Sequence, residues 1–328
     1  MKEISIIIPN YNGEKYISQC LKSIYDNVFD DNLIEIIIID DCSNDNSIDI
    51  INKYAKKNKS LKLIELNKNL GVSNARNIGI KMSKGKYLFF LDSDDLLKKD
   101  SLKLLLEYSK KNYDIVYFDY NIITNSNARK SDLVMDDKEF IINDNFNKDI
   151  FELFLYSYKL NHVWGELIKS SIAKKNKFDT NLIMAEDFKY NLEIFFSSKR
   201  ILLSNKKILS YRIHNNNITN TKNKNKILKK SIDSFNSYNE LFKYDLSRKY
   251  NNKILRRIER EFLNSMFGLY KVDKKNFKEE YLNCINLLDK NKLKKVEKRL
   301  KYHIVKIKFV NRNNIFLFKN LLKSIKRR

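Results

Sequence analysis

Short runs of β-branched residues alternate with stretches of helical periodicity over the first hundred residues. The apolar runs predict four strands, each buried on both faces: Ile4–Ile8, Ile34–Ile39, Leu61–Leu66 and Tyr87–Leu91. Helical spacing predicts the helices between them, over residues 14–27, 46–57 and 72–82. This β-α-β-α-β-α-β rhythm predicts an α/β fold with a Rossmann-like, mostly parallel sheet and helices on both faces.

Polar residues follow three of these strands at the point where each strand ends. They are Asn10 to Asn12, Asp40 to Asp41, and Asp92 to Asp95. In parallel sheets, ligands bind beyond the carboxyl ends of the strands. We therefore expect the three polar clusters to converge on one crevice.

The cluster FFLDSDD has the sharpest chemical pattern in the chain. Its carboxylates follow a buried strand directly and offer the hard oxygen ligands that a divalent cation and a bound diphosphate require. The alternative is a turn in which Asp94 or Asp95 caps the helix that starts near Ser101.

Asp40 and Asp41 offer a second pair of carboxylates after the second strand. A carboxylate at this place can accept the N3–H of a uracil ring and so select the base. The alternative is a cap for the following helix, a role that would suit Ser43 or Asn44 in the same turn. Both interpretations can hold for different residues of one turn.

Six blocks of the sequence resemble family 2 glycosyltransferases in order and spacing. They are IIIPNYN, IIIDDCSNDNS, NLGVSNARNIGI, GKYLFFLDSDD, MAEDF and YRIHNNNIT, and they span about residues 1–220. The resemblance implies a GT-A fold and an inverting transfer from a nucleotide-sugar donor, most often UDP-linked. It also implies Mn²⁺ or Mg²⁺ as the cofactor.

The resemblance also implies a set of residues around the nucleotide sugar. They are Pro9, Tyr11, Asn12, Asp40, Asp41, Arg76, Asp92, Ser93 and Arg212. Pro9, Tyr11 and Asp41 would frame the uracil ring. Asp92 would hold the ribose, and Arg76 would lie near the nucleotide.

Metal binding and catalysis are assigned to other residues by the same resemblance. Asp94 would bind the metal, and His214 would contact the metal or the diphosphate. Asp187 would be the catalytic base, with Glu186 helping to orient the acceptor. One carboxylate suffices, because inversion requires only that the acceptor hydroxyl lose its proton as it attacks the anomeric carbon. The alternative for this acidic pair is charge complementarity with the dipole of the helix that it begins.

Trp164 is the only tryptophan, and the family often has an aromatic residue near the acceptor at this block. We consider a role in acceptor binding and a role in core packing as equal alternatives. The family block often carries a basic residue where this chain has Glu166.

The positive charge is concentrated in the last third of the chain. Residues 222–328 carry 31 Lys and Arg against 10 Asp and Glu, whereas residues 1–221 carry 33 against 30. Amphipathic helices are predicted there: one buries Leu228, Ile232, Phe235, Phe242 and Leu246, one buries Ile254, Ile258, Phe262 and Met266, and a third covers residues 315–325. The alternatives are attachment to anionic membrane lipid and a helical bundle with a solvated lysine face.

No nucleic-acid-binding motif occurs, so we expect no nucleic acid partner.

We therefore expect three regions. Residues 1–110 form the nucleotide-sugar-binding half of a GT-A domain, residues 111–221 form the acceptor-binding half, and residues 222–328 form a basic helical region. Three widely spaced cysteines favour a reducing compartment, and the short N-terminal apolar run predicts a buried strand rather than a signal peptide. No stretch approaches the ~18 apolar residues of a spanning helix. We expect a cytoplasmic protein, attached if at all to the inner face of the membrane.

The predicted activity is transfer of a hexose or N-acetylhexosamine from a UDP-sugar to a hydroxyl of a surface glycan or glycolipid, such as capsule or lipooligosaccharide. One alternative is a catalytically degenerate glycosyltransferase-like binding module, which the presence of Asp92, Asp94 and Asp187 disfavours. Another is a sugar nucleotidyltransferase, for which the segment PNYNGEK is too poor in glycine. A dehydrogenase is disfavoured because no GxGxxG follows the first strand.

Overall fold

The computed structural model describes most of the first 243 residues and parts of the region beyond. The described residues are 2–124, 128–130, 137–141, 161–214, 223–243 and 253–258, and singly 261, 269, 272, 273, 276 and 279. The chain forms two compact units. The first unit contains Met1–Asn181 and Tyr190–Asn217, and the second contains Leu182–Lys189 and Ile218–Arg328. The predicted division into three regions stays a prediction.

The described part of the chain contains the following elements. The strands are β1 Ile4–Asn10, β2 Ile34–Asp40, β3 Leu61–Glu65, β4 Tyr87–Phe90, β5 Leu96–Leu97, β6 Ile115–Thr124, β7 Ala128–Lys130, β8 Lys138–Ile141, β9 Glu166–Lys169 and β10 Arg200–Ile213. The helices are α1 Ile17–Tyr25, α2 Ser47–Ala55, α3 Val72–Met82, α4 Ser101–Ser109, α5 Ser170–Ala173, α6 Glu186–Phe196 and α7 Lys224–Asn239, followed by a 3-10 turn at Glu240–Lys243. Residues 253–258 are also helical.

The first half of the sheet is parallel, in the order β3-β2-β1-β4. The four predicted strands and three predicted helices are thereby confirmed, with bounds that differ by a few residues at most. Pro9 lies in β1, but β1 pairs with β4 only as far as Ile7 opposite Phe90. Proline has no backbone N–H, and Pro9 lies beyond the part of β1 that pairs with β4. The sheet therefore loses no hydrogen bond to β4 at this position.

Beyond β4 the sheet becomes mixed, a change that the apolar runs do not predict. The order continues β9-β6-β10-β5, with β9 antiparallel to both of its neighbours and β5 antiparallel to β10. β6 and β10 pair in parallel. One sheet thus contains strands from both sides of the predicted boundary at residue 110.

Helices cover both faces of the parallel half, as predicted. Residues of β1 and β2 such as Ile6 and Ile36 pack with residues of α1, α2 and α4, including Leu21 and Ile51, in one buried cluster. On the opposite face α3 lies close to the strands at Gly79, where a Cβ would come within 2.3 Å of Ile7 Cγ2. Only glycine fits this close approach.

The second unit is built on α7, which begins at the cap residue Asn223, whose side chain accepts the N–H of Lys226. The predicted apolar stripe is partly wrong, because Leu228 and Ile232 are only half-buried whereas Ile227 and Ser231 are buried. The Ser231 hydroxyl donates to the carbonyl of Ile227 at 2.9 Å, so its burial leaves no unsatisfied donor.

The remaining predicted positions of this unit divide into three groups. Phe235, Ile254 and Ile258 are buried as predicted, and Phe242 is half-buried. Leu246, Phe262, Met266 and residues 315–325 lie outside the described residues. None of the helices in the described part of the chain is both long enough and apolar enough to cross a membrane.

Candidate functional site

Three aspartates meet directly after β4. One carboxylate oxygen from each of Asp92, Asp94 and Asp95 lies within 4.8 Å of the other two. The alternative in which Asp94 or Asp95 caps the next helix is wrong. The N-cap position of α4 is occupied by Asp100, and β5 lies between the aspartates and this helix. The aspartates are therefore available for a ligand.

The geometry of this cluster suits a divalent cation. Asp95 is fully buried, and its Oδ1 accepts the N–H of Arg212 at 2.8 Å. Among the residues that the structure describes, none hydrogen-bonds the second buried oxygen, Oδ2. Burial, and then the charges of the neighbouring aspartates, raise the pKa of Asp94 and, more strongly, the pKa of Asp95. A cation among these oxygens would offset the repulsion, so the residues present fit the predicted Mn²⁺ or Mg²⁺. From the sequence, Asp95 was considered only as an alternative helix cap and not as a metal ligand.

His214 and Arg212 both contact Asp94. The Nε2 atom of His214 lies 2.8 Å from Asp94 Oδ2, and the Nε–H of Arg212 donates to the Asp94 carbonyl at 2.8 Å. From the sequence, both residues were expected to follow a strand. In the structure Arg212 lies within β10, and His214 follows the strand directly. The two residues thus join the end of β10 to the aspartate cluster.

Tyr16 supports both of these side chains and was not singled out as a site residue from the sequence. The His214 ring stacks on the Tyr16 ring with centroids 4.7 Å apart, and the Arg212 guanidinium lies 5.0 Å from the same ring. Arg212 also donates to Gln19 Oε1 at 2.9 Å. The residue before α1 and the helix itself therefore restrict the orientation of the metal-site side chains.

Arg76 is paired with Asp92 in the same cluster. Its Nη2 atom lies 3.1 Å from Asp92 Oδ1, and its side chain is almost fully buried. The guanidinium also lies 5.4 Å from the centre of the Phe178 ring. Arg76 thus brings one fixed positive charge to a group of three carboxylates.

Asp40 is the buried last residue of β2. Its Oδ2 accepts Asn10 Nδ2 and Ser43 Oγ, each at 2.7 Å, and its Oδ1 accepts the N–H of Ser43 at 2.8 Å. Ser43 and Asn44 do not cap α2, whose N-cap position is Asn46. Asp40 therefore joins the ends of β1 and β2, and its contact with the uracil ring stays a prediction.

Asp41 holds the segment that leads into α3. Its two oxygens accept the N–H groups of Leu70 and Gly71, each at 2.7 Å. Gly71 has φ +86°, a conformation that glycine adopts without strain. Each carboxylate oxygen has a second lone pair, so acceptance of the uracil N3–H is compatible with these bonds.

Cys42, which follows Asp41, also has a left-handed backbone, with φ +65°. A side chain in this conformation costs about 1–2 kcal/mol. The turn is therefore retained with a local strain that glycine would remove.

The segment after β1 brings Asn12 and Tyr11 to the same edge of the sheet. Asn12 Oδ1 accepts the N–H of Asn44 at 2.9 Å, and Tyr11 is 51% exposed. A Cβ at Gly13 would come within 2.2 Å of Asn10 Oδ1 and 3.5 Å of Ser93 Oγ. The segment therefore passes close to Ser93, so the structure brings the three predicted polar clusters together.

Trp164 lies in an aromatic cluster in the core and is only 7% exposed. Its ring stacks with those of His162 and Tyr211, at centroid distances of 3.5 Å and 4.8 Å, and meets Tyr120 at its edge. The core-packing alternative is thus observed, and contact with the acceptor stays a prediction.

Glu166 is buried in β9 next to this cluster. Its Oε1 accepts Asn191 Nδ2 at 2.8 Å, and Asn191 also donates to the His162 carbonyl. Asn191 lies on α6, so the acidic residue that replaces the family's basic one is held by that helix.

Glu186 and Asp187 form the first turn of α6, where their charge also matches the helix dipole. They belong to the second compact unit. Ala185 precedes them with φ +60°, which costs a non-glycine residue about 1–2 kcal/mol. The assignment of Asp187 as base and Glu186 as acceptor-orienting residue stays a prediction.

Comparison with known proteins identifies the family. The model of the family described as Glycosyl transferase family 2 matches residues 5–169. Poly(ribitol-phosphate) beta-glucosyltransferase of Bacillus spizizenii is 33% identical over 212 residues, which are 62% of this chain and 31% of that protein. The chain thus spans about a third of the length of this relative.

Two solved structures share the fold at low sequence identity. S. aureus TarS 1-349 in complex with UDP-GlcNAc has a TM-score of 0.63 at 20% identity, covering 90% of this chain and 82% of that one. The mannosyltransferase PcManGT from Pyrobaculum calidifontis, in complex with GDP-Man and Mn²⁺, has a TM-score of 0.57 at 12% identity, covering 98% and 84%. With the family match over half of its residues, the chain belongs to glycosyltransferase family 2 and has the GT-A fold.

Proposed function

We propose that this chain is an inverting glycosyltransferase that transfers a hexose or N-acetylhexosamine from a UDP-sugar to a hydroxyl of a surface-glycan acceptor. The observation that carries the proposal is the group of three aspartates after β4, with His214 bonded to Asp94. Family membership supports the reaction class, and the similarity to a TarS structure that contains UDP-GlcNAc supports the donor class.

The nucleotide would bind at the edge of the sheet where β1, β2 and β4 end. Tyr11, with Pro9 before it, offers an exposed ring for stacking on the uracil. Asp41 would accept the uracil N3–H and Asp92 a ribose hydroxyl. Arg76 would hold Asp92 in place through their ion pair.

Asp94 and His214 would hold the divalent cation, with Asp95 as a further oxygen donor. When bound, Mn²⁺ or Mg²⁺ supplies positive charge that stabilises the leaving diphosphate. Arg212, which donates to the Asp94 carbonyl, keeps the cluster in place and contributes a fixed positive charge. The solved mannosyltransferase with bound Mn²⁺ supports the choice of metal.

Asp187 would act as the catalytic base. Its carboxylate takes the proton of the acceptor hydroxyl while that oxygen forms a bond to the anomeric carbon. The bond between this carbon and the diphosphate oxygen breaks, and its electron pair leaves with UDP. The result is a glycoside of inverted configuration, a UDP anion and a protonated Asp187. Glu186 would orient the acceptor.

The acceptor class rests on the relatives. The Bacillus relative is named for transfer to poly(ribitol-phosphate), a polymer that carries hydroxyl groups. We infer a surface polymer of this general kind, whether teichoic acid, capsule or lipooligosaccharide. Trp164 would contribute to acceptor binding indirectly, by fixing the aromatic cluster around it.

Release of UDP from a panel of nucleotide sugars tests the proposal. Purified chain is incubated with each donor, poly(ribitol-phosphate) and Mn²⁺, with parallel reactions in EDTA. We expect UDP release from one donor or a few, dependent on metal and stimulated by acceptor. Tight UDP binding without any turnover would instead identify a catalytically degenerate binding module.

We also propose that residues 222–328 attach the protein to anionic lipid at the inner face of the membrane. This region carries 31 basic residues and only 10 acidic ones, which supports the proposal. Each basic residue near such a surface contributes about 1 kcal/mol to binding. Lys→Glu changes in this region should abolish sedimentation with phosphatidylglycerol vesicles, and salt at about 1 M should release the intact protein. Binding that survives both treatments would leave the solvated helical bundle as the explanation.

A further inference from the structure

The segment of residues 182–189 carries the acidic pair Glu186 and Asp187. It belongs to the same compact unit as α7, although residues 190–217, which lie between the two in the sequence, belong to the first unit. Contacts within this second unit therefore determine what holds the proposed base. Three side chains on α7 interact with the segment.

The first is Asp233, which is 1% exposed. Its Oδ2 accepts the backbone N–H of Ile183 at 2.9 Å, and its Oδ1 accepts the ammonium of Lys229 at 2.6 Å. A buried carboxylate binds an N–H more strongly than a neutral acceptor does. The Lys229 ion pair compensates the buried charge, so the bond to Ile183 is kept in place.

The second contact is aromatic. The Phe188 and Tyr238 rings lie with centroids 4.1 Å apart, and both residues are buried. The guanidinium of the buried Arg257 donates to the Tyr238 hydroxyl at 3.2 Å, which restricts the rotation of that ring. Phe188 directly follows Asp187, so this contact fixes the other end of the segment.

The third contact is electrostatic. Lys230 is buried on α7, and burial together with Lys226 lowers its pKa. Glu186 acts on this lysine in the opposite direction, as expected for a nearby opposite charge. The carboxylate beside the proposed base is thus close enough to this lysine of α7 for the two charges to act on each other.

Ala185 lies between the two fixed points at Ile183 and Phe188, and its left-handed backbone is strained. Strained residues persist only where their surroundings determine the conformation, and they concentrate at functional sites. Without its contacts with α7, this segment would adopt a less strained backbone conformation at Ala185. The direction of the Asp187 side chain would then change.

We propose that Asp233 is a positioning residue for catalysis, which fixes the backbone of residues 182–189 so that Asp187 is correctly aimed. This inference rests on the proposed function, in which Asp187 is the base. It assigns to the C-terminal unit a part in the chemical step that is separate from any attachment to a membrane. Misplacement of a catalytic group by about 1 Å can cost about 10²-fold in rate.

The test compares Asp233→Ala and Asp233→Asn with Asp273→Asn in the full chain. Asp273 is a matched control in the same unit, where it accepts hydrogen bonds from Asn276 and pairs with Lys224 at 3.1 Å. We expect kcat to fall by about 10–100-fold in Asp233→Ala and less in Asp233→Asn, which keeps one acceptor oxygen. The KM for the UDP-sugar and the dissociation constant of UDP should stay within about twofold, and Asp273→Asn should resemble the wild type.

Amide hydrogen exchange separates positioning from general destabilisation. Exchange in peptides that cover residues 182–189 should become about tenfold faster in Asp233→Ala, while peptides from β1 and β4 stay protected. If Asp233→Ala does not fold, Asp233→Asn carries the same comparison. Unchanged kcat in both variants, or a loss of kcat that parallels a loss of UDP affinity, would overturn the inference. A wild-type chain without transferase activity would overturn the proposed function first, and the inference with it.

Discussion

The aspartates that follow β4 and the acidic pair that begins α6 are held by different kinds of contact. Asp92, Asp94 and Asp95 lie at the end of a strand whose position is fixed by the sheet, and a fixed arginine or histidine contacts each of the first two. The segment that carries Asp187 is held by side chains of α7 in the second unit.

This difference has a functional consequence in the proposed reaction. The donor site would be rigid, because the sheet, the Arg76–Asp92 ion pair and the His214–Asp94 hydrogen bond fix it before any ligand binds. The base would depend on a few side-chain contacts, which can be altered without disturbing the donor site. Changes in the two regions should therefore have different kinetic signatures.

The largest effect is expected at the rigid region. Asp94→Ala removes a carboxylate from the metal cluster and the partner of His214, so transfer should fall by about 10³-fold or more, and metal affinity should fall with it. Calorimetric titration with Mn²⁺ and the rate of UDP release measure the two quantities. Asp26→Ala, at an exposed pair with Lys22, is the control and should behave as the wild type. Full wild-type activity in EDTA would remove the metal from the mechanism.

Asp187→Asn should lower kcat by roughly 10²–10⁴, because the amide has the shape of the carboxylate but does not accept the proton. UDP affinity should be unchanged, in contrast to the Asp94 variant. Single-turnover kinetics together with UDP titration measure the two effects. The comparison breaks down if Asp187→Asn weakens UDP binding but leaves turnover of the bound donor intact.

A smaller effect is expected at two residues with a left-handed backbone. Cys42 follows the pair Asp40 and Asp41, and Ala185 precedes the pair Glu186 and Asp187. Cys42→Gly and Ala185→Gly should each raise the free energy of unfolding by up to about 1 kcal/mol, because glycine adopts φ +65° and φ +60° without strain. Urea denaturation measures the change. Cys42→Ala keeps the strained backbone and removes only the thiol, so it should give no gain; an equal gain would assign the effect to the thiol.

The smallest effect concerns Tyr211, whose phenol reports on the charge of the aspartate cluster. Burial, and then Asp95, Asp92 and Asp94, raise its pKa to about 12. A phenol whose pKa is higher in the folded state contributes stability that is lost as pH rises from about 10 to about 12. Asp94→Asn should lower the Tyr211 pKa slightly, measured by NMR of ¹³C-labelled tyrosine with Tyr211→Phe for assignment. An unchanged pKa would mean that the charge of Asp94 does not act on this phenol, which would leave burial and the other charges of the cluster as the cause.

The parallel half of the sheet was predictable because its signals are local. Runs such as Ile34–Ile39 have no polar interruption, and the helical spacing over residues 72–82 has the same bounds as α3. The convergence of Asn12, Asp41 and Asp94 was predicted from their positions at the carboxyl ends of parallel strands. No strand beyond β4 was predicted with its bounds: β5 has only two residues, and the antiparallel pairing of β9 with β4 and β6 depends on tertiary packing.

The support of the site was less predictable than the site itself. Tyr16 begins an apolar stripe in the sequence, and only the structure shows its ring against His214 and Arg212. The buried polar face of α7 was missed for a related reason. A sequence reading assigns apolar residues to the core, whereas Asp233 is buried because Ile183 and Lys229 satisfy its oxygens. Such pairings have no signature in the sequence.

The two ends of the described sheet bear on the solubility of the protein. Among the described strands, β3 forms one edge of the sheet, and at the other side the short strands β5 and β8 each pair with β10, while β7 pairs with β6. β3 has room for a further strand, but Lys62 and Glu65 on it are exposed and charged. Pairing of β3 with the same strand of another molecule would bring these charges out of water, and β5, β7 and β8 offer only two, three and four residues for such pairing. The open edges of this sheet are therefore poor templates for aggregation, even where the chain is concentrated on a surface.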